Sequence, residues 1–76
     1  ITAFKVYPNP AKNEINFQVN NFSNNFNVDI FNVTGKKIIE ATIRISNPKL
    51  DISSLSKGVY LLNIKDFSTT LKFVKL

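Results

Sequence analysis

Few side chains in this sequence could do chemistry, and none is spaced to act with another. The carboxylates are Glu14, Asp29, Glu40, Asp51 and Asp66, each isolated in the chain. General acid–base catalysis needs groups brought together, and a calcium loop needs clustered carboxylates; neither pattern occurs. Serines 23, 46, 53, 54, 56 and 68 fall in turn-like stretches, and the chain has no His to activate them. Cys is absent too, which removes the thiolate nucleophile, the thiolate metal ligand and the disulfide. Gly35 and Gly58 are the only glycines, too few and too far apart for a phosphate cradle. The chain is expected not to be an enzyme, and to hold no cofactor and no metal.

Charge adds a bias without a site. Ten Lys and Arg against five Asp and Glu give +5 and a pI near 9.8, which favours anionic partners through long-range attraction. These cations are scattered over the whole chain, as solvated strand faces and edge protection require. Lys also alternates with aromatics, in Phe4-Lys5-Val6-Tyr7 and Lys72-Phe73, a pattern that could suggest nucleic-acid binding. In a strand, however, alternate side chains point to opposite faces, so the ring goes inward and the Lys outward. No nucleic-acid partner is expected. No apolar run approaches the ~20 residues of a membrane span, so no membrane insertion is expected. The start at Ile1 without an initiator Met reads as a piece excised from a longer protein.

The elements that position these residues are strands. The densest apolar stretch, Gly58-Val59-Tyr60-Leu61-Leu62-Asn63-Ile64-Lys65, reads as a central strand. Tyr60, Leu62 and Ile64 lie on one face, and Val59 and Leu61 on another face that should also be largely covered. Before it, Phe4-Lys5-Val6-Tyr7 runs into Pro8-Asn9-Pro10, whose prolines lack a ladder N–H and make a stiff corner. Residues 14–20 alternate cleanly, with Ile15, Phe17 and Val19 inward. Phe22, in the polar cluster that follows, should tuck back over the sandwich end. Phe26, Val28 and Ile30 face inward in the next strand, and Asn32-Val33-Thr34-Gly35 makes a hairpin with Gly35 in the left-handed position. The strand over residues 36–45 carries two successive isoleucines, a slip of phase that a bulge or a sheet-edge twist near Ile38 would explain. Asp51 is expected to cap one helical turn, with Ile52 and Leu55 plugging the sandwich. After a reversal at Asp66-Phe67-Ser68, residues 69–76 form the last strand, with Leu71 and Phe73 inward. Its end should present Lys72 and Lys75 accessibly. About seven short strands with no amphipathic helix predict an all-β, immunoglobulin-like antiparallel sandwich, monomeric, with Val6, Ile39, Ile43 and Phe73 among its core residues.

Taken in order, Val6-Tyr7-Pro8-Asn9-Pro10, Val28-Asp29-Ile30-Phe31-Asn32 leading into Gly35-Lys36, Leu50-Asp51-Ile52-Ser53-Ser54-Leu55, Gly58-Val59-Tyr60-Leu61-Leu62 and the terminal Lys72-Phe73-Val74-Lys75 resemble one family. It is the type A C-terminal sorting domain of type IX secretion cargo proteins, also called the Por secretion system sorting domain. The likeness spans nearly all of residues 1–76, read as a single C-terminal sorting domain. Asp66-Phe67-Ser68 departs from the smaller turn, with Gly or Asn, expected there. The resemblance implies a C-terminal signal in a Gram-negative bacterium, transiently periplasmic and then at the cell surface or in the medium. It implies as partners the type IX outer-membrane translocon and shuttle proteins, a surface sortase that removes the domain near or before Ile1, and covalently attached N-terminal passenger domains. Candidate recognition residues are Pro8, Asn9, Pro10, Gly35, Lys36, Gly58, Tyr60, Lys72 and Lys75. A second class of function fits the same composition: an accessory carbohydrate-binding or adhesion sandwich of an extracellular enzyme. For that role only Phe22, Phe31 and Phe67 offer ring surface.

Overall fold

Each period-two stretch becomes a strand in the computed structural model, which describes residues 3–76; the cleavage point expected near Ile1 lies outside the described residues. The strands are β1 (Ala3–Tyr7), β2 (Glu14–Asn20), β3 (Phe26–Phe31), β4 (Lys37–Ile43), β5 (Lys49–Asp51), β6 (Gly58–Ile64) and β7 (Thr69–Lys75). They form a three-stranded sheet, β1-β2-β5, and a four-stranded sheet, β4-β3-β6-β7, with antiparallel pairing throughout both. This is the expected immunoglobulin-like sandwich, closed without a disulfide.

Inward residues of the two sheets meet in one core. Ile15, Phe26, Val28, Ile30, Ile43, Ile52, Leu62, Ile64 and Phe73 are completely enclosed, while Val6 and Ile39 pack against them half-buried. The bulge falls where two isoleucines in succession placed it: Ile30 pairs with Ile39 and Phe31 with Lys37, which leaves Ile38 unpaired and 41% exposed. Tyr60, in the first half of β6, donates its hydroxyl to the Ser56 carbonyl at 2.7 Å and stacks on Phe73. That is the tyrosine-corner arrangement of immunoglobulin-like sandwiches, which ties the approach of a strand to its own start.

Four expectations need correction. β6 does sit mid-sheet, but its second face is not covered: Val59 and Leu61 are 39% and 38% exposed. Two sheets enclose only the face between them, so an apolar run does not by itself require a third layer. Asp51 caps no helix; it ends β5 and its Oδ1 accepts from the Ser53 N–H at 2.9 Å, a turn closed by Leu55 N–H to the Ile52 carbonyl. Ile52 and Leu55 still plug the core. The fourth strand is shorter than residues 36–45, because Ile45 leaves the ladder and gives its N–H to Asn25 Oδ1. Lys75 is only 8% exposed, since the phase that turns Leu71 and Phe73 inward carries Lys75 inward too. Its ammonium emerges from beneath to reach the Leu76 carbonyl at 2.9 Å.

Candidate recognition site

The sandwich has two unlike ends, and register decides which residues share each. Phe31 at the close of β3 lies beside Leu61, Gly58 at the opening of β6 lies beside Lys75, and Ala11 bridges to Lys75. The Pro8-Asn9-Pro10 corner, the Gly35 hairpin, Gly58, Tyr60 and Lys75 therefore gather toward one end, with Lys72 a little further along β7. We call this the corner end. Eight of the nine candidate residues lie there, and Lys72 sits level with Leu61 on the outer face beside it.

Local chemistry explains how the corner is held. Pro8 and Pro10 have no N–H to offer, so the side chain of Asn9 takes the part of a peptide unit, with a carbonyl and an amide on one plane. Val74 N–H donates to Asn9 Oδ1 at 2.9 Å and Asn9 Nδ2 donates to the Lys72 carbonyl at 3.2 Å. Ala11, fully buried, continues the seam: its N–H reaches the Val74 carbonyl at 2.7 Å and its carbonyl accepts from Leu76 N–H at 2.8 Å. The corner thus occupies the outer edge of β7, where an unpaired ladder would otherwise stand open. Sequence reading marked Asn9 as a contact residue and passed over Ala11. Only the asparagine between two prolines hinted at a side chain substituting for backbone.

At the neighbouring hairpin Asn32 is the hub. Its Oδ1 accepts from Thr34 N–H, Thr34 Oγ1 and Lys36 N–H at 3.0, 2.7 and 3.0 Å, and Gly35 takes φ +87°. A side chain at that position would sit in a left-handed backbone conformation, which is why Gly is there. Gly58 likewise has φ +154°. Of the candidate residues, Pro8, Asn9, Pro10, Gly35, Lys36 and Lys72 reach solvent, whereas Tyr60 and Lys75 belong to the interior.

The opposite end is aromatic. Phe4 lies edge-on to Phe26 with centroids 5.2 Å apart, Phe17 to Phe26 at 5.4 Å, and Phe22 to Phe67 at 4.9 Å. Phe22 tucks back as expected. Phe22 and Phe67 turn toward each other and the core, and Phe31 lies apart from them, beside Leu61 on the outer face of the four-stranded sheet, so the three rings form no common platform.

Charges on that outer face are largely matched among themselves. Asp29 is 6% exposed, with its Oδ1 3.8 Å from the Lys37 ammonium and 3.9 Å from that of Lys65, in ion-pair range but just beyond hydrogen-bond reach. Glu40 pairs with Lys65 at 2.9 Å and with Lys37 at 3.7 Å. The Lys65 hydrogen bond, followed by the charge of Lys37, holds the Glu40 carboxyl below its ordinary range; the same bond, with the charge of Asp29, raises the Lys65 ammonium. Asp51 is lowered by the hydroxyl and the N–H of Ser53. Among the described residues no pocket opens and no cluster of metal-ligating side chains forms.

Fold and site together define a small immunoglobulin-like β-sandwich module, with a hydrogen-bonded corner in place of a cleft. The chain belongs to the secretion system C-terminal sorting domain family, whose model matches residues 5–76. It is a type IX secretion sorting signal, the mark of a secreted or cell-surface protein, and a signal of this kind is not itself catalytic. Among curated proteins it is similar to a beta-agarase A of Zobellia galactanivorans, 30% identical over 66 residues. The alignment covers 87% of this chain and 12% of the agarase, so the chain spans a small fraction of that relative's length.

Proposed function

We propose that residues 1–76 are the C-terminal module of a longer exported protein and that the folded module, rather than a linear tag, is what the secretion machinery reads. A signal peptide on the passenger brings the protein to the periplasm. There the sandwich folds as a monomer and is bound at its corner end by the outer-membrane translocon and its shuttle proteins, which carry the passenger to the surface or the medium. A surface sortase then removes the domain, acting upstream of β1; the chemistry of that cut is the sortase's, and the domain has no hydrolytic activity of its own. Similarity to an agarase supports an extracellular enzyme as the kind of passenger such a module serves.

The observation that carries this reading is the family match over residues 5–76, which runs from within β1 past the end of β7 and so takes in nearly the whole sandwich. A signal that needed only a short peptide would have no use for a corner stitched to a strand more than sixty residues away. The test is sufficiency: a reporter carrying a signal peptide in front and residues 1–76 behind should reach the surface of a host with type IX machinery. Retention of that reporter in the periplasm, while an authentic cargo is exported, would contradict the proposal.

A further inference from the structure

On the outer face of the four-stranded sheet, four apolar side chains meet with no layer above them. Register places Phe31 of β3 beside Leu61 of β6, and Val59 of β6 beside Val74 of β7. Val59 and Leu61 are 39% and 38% exposed, and Phe31 and Val74 are partly so. A continuous apolar strip therefore runs across three strands close to the corner end. In a small soluble sandwich such a strip is worth explaining, because the wet face of an antiparallel sheet is ordinarily polar.

The charge around the strip says what could cover it. The acids on this face, Asp29 and Glu40, are both held by Lys37 and Lys65, two carboxylates against two ammonium groups. Lys72, directly across from Leu61, has no acid partner among the described residues, and exposed Lys36 and Lys57 stand in the turns at the same end. What remains unmatched next to the apolar strip is positive. A second copy would bring equal unmatched lysines, on a chain of net charge +5, against one another.

We infer that the Phe31, Val59, Leu61 and Val74 strip, with Lys72 at its edge, is the docking face for a protein component of the secretion machinery whose own surface pairs apolar side chains with flanking carboxylates. The inference rests on the sorting function and names where that function is read. Burial of the strip supplies affinity, and Lys72 orients the partner, the usual division between an apolar centre and a charged rim. The face is carried on three paired strands, so no ordering of loops is required of it when the partner binds.

The test uses the exported reporter fusion with two independent changes. Val59→Ser combined with Leu61→Ser removes the strip, and Lys72→Glu reverses the rim charge. Each should lower surface reporter by about tenfold or more, as for loss of an interface hot spot, while the protein accumulates in the periplasm and still melts cooperatively, with Lys72→Glu melting as the parent does. Lys5→Glu, on the outer side of the other sheet, should export normally. If the strip variant fails to fold, Lys72→Glu decides. Normal export of Lys72→Glu, with the parent fusion exporting, overturns the inference and leaves the sorting function standing; failure of the parent fusion overturns the sorting function itself. A photo-crosslinker at position 61 should then join a peptide of an outer-membrane component in which Asp or Glu adjoins apolar residues, and replacing that acid by Lys should restore export of Lys72→Glu. Crosslinking to a second copy of the domain, or binding of the purified domain to lipopolysaccharide vesicles that the Ser variant loses, would overturn the assignment in favour of self-association or a membrane surface.

Discussion

The two ends of the sandwich are held together by different physics. At the aromatic end, Phe4, Phe17, Phe22, Phe26 and Phe67 pack ring against ring, with centroid separations of 4.9 to 6.3 Å, and no particular atom is indispensable. At the corner end, single atoms matter: Asn9 Oδ1 and Nδ2, the Ala11 peptide, the Tyr60 hydroxyl and Asn32 Oδ1 each complete a backbone group that would otherwise stand open. Close packing resists loss of volume anywhere in the cluster, whereas a hydrogen-bonded seam depends on where particular donors and acceptors stand. An end that must be recognised from outside has reason to be built the second way, and an end that only has to stay closed can be built the first.

The comparison can be broken from either side. Phe26→Ala, at the centre of the aromatic cluster, should have the largest effect, a loss of about 3–5 kcal/mol, measured by urea unfolding. In a domain of this size that is much of the total stability, and a loss under about 1 kcal/mol would show that the rings are not the anchor. Next comes Asn9→Ala, which removes two hydrogen bonds at a solvent-exposed seam and should cost about 1–2 kcal/mol. Hydrogen exchange should rise at the Val74 and Leu76 amides while the Phe26 amide stays protected. Uniform exchange across both ends would mean the seam has no local meaning.

A smaller change runs in the opposite direction. Ser68 follows the single 3₁₀ turn at Lys65–Phe67 and sits at φ 52°, ψ 33°, in the left-handed region. Ser68→Gly should relieve that conformation and raise stability by about 0.5 kcal/mol, after the entropy of a glycine in the unfolded chain is set against the gain. Smallest of all is the acid response. Glu40 and Asp51 have carboxyls lowered in the fold, so their contributions are full above the unfolded values and are lost as pH falls through the folded ones. Lys65 is raised, so its share is present below its unfolded value and lost only as strongly alkaline pH passes the folded one. Both acids are exposed, which keeps the effect slight; Glu40→Gln should flatten the decline between about pH 5 and 3, and an unchanged slope would assign that decline to other groups.

Much of this was legible in the sequence. Period-two alternation fixes which face of β2, β3 and β7 is buried, and the pair Ile38-Ile39 announces an irregularity because one face cannot take both, with the register across β3 and β4 deciding for a bulge over an edge twist. The hairpin at Gly35 follows from turn chemistry. Other features are invisible from one strand at a time. Whether Val59 and Leu61 are covered depends on how many layers the domain has, which the apolar run does not encode. Lys75 lies inward through the phase set by Leu71 and Phe73, though its charge suggested solvent. The seam between Asn9, Ala11 and β7 joins the two ends of the chain, and nothing local to either segment specifies it. Motif likeness and, for Lys72 and Lys75, the end of the last strand suggested the nine candidate recognition residues; the structure sends Tyr60 and Lys75 to the interior, gathers the others at the corner end and leaves Lys72 on the face beside it.

The most direct measurement plots surface delivery of the reporter against the unfolding free energy of the domain for two sets of variants. One set weakens the aromatic end, through Phe4, Phe22, Phe26 or Phe67; the other alters exposed residues of the corner end and the face beside it, Pro8, Lys36, Leu61 and Lys72. If the corner end is what the secretion machinery reads, aromatic-end variants should lose delivery only as they lose stability, and corner-end variants should lose it with stability intact. A single curve through both sets would contradict the account, because delivery would then depend on folding alone.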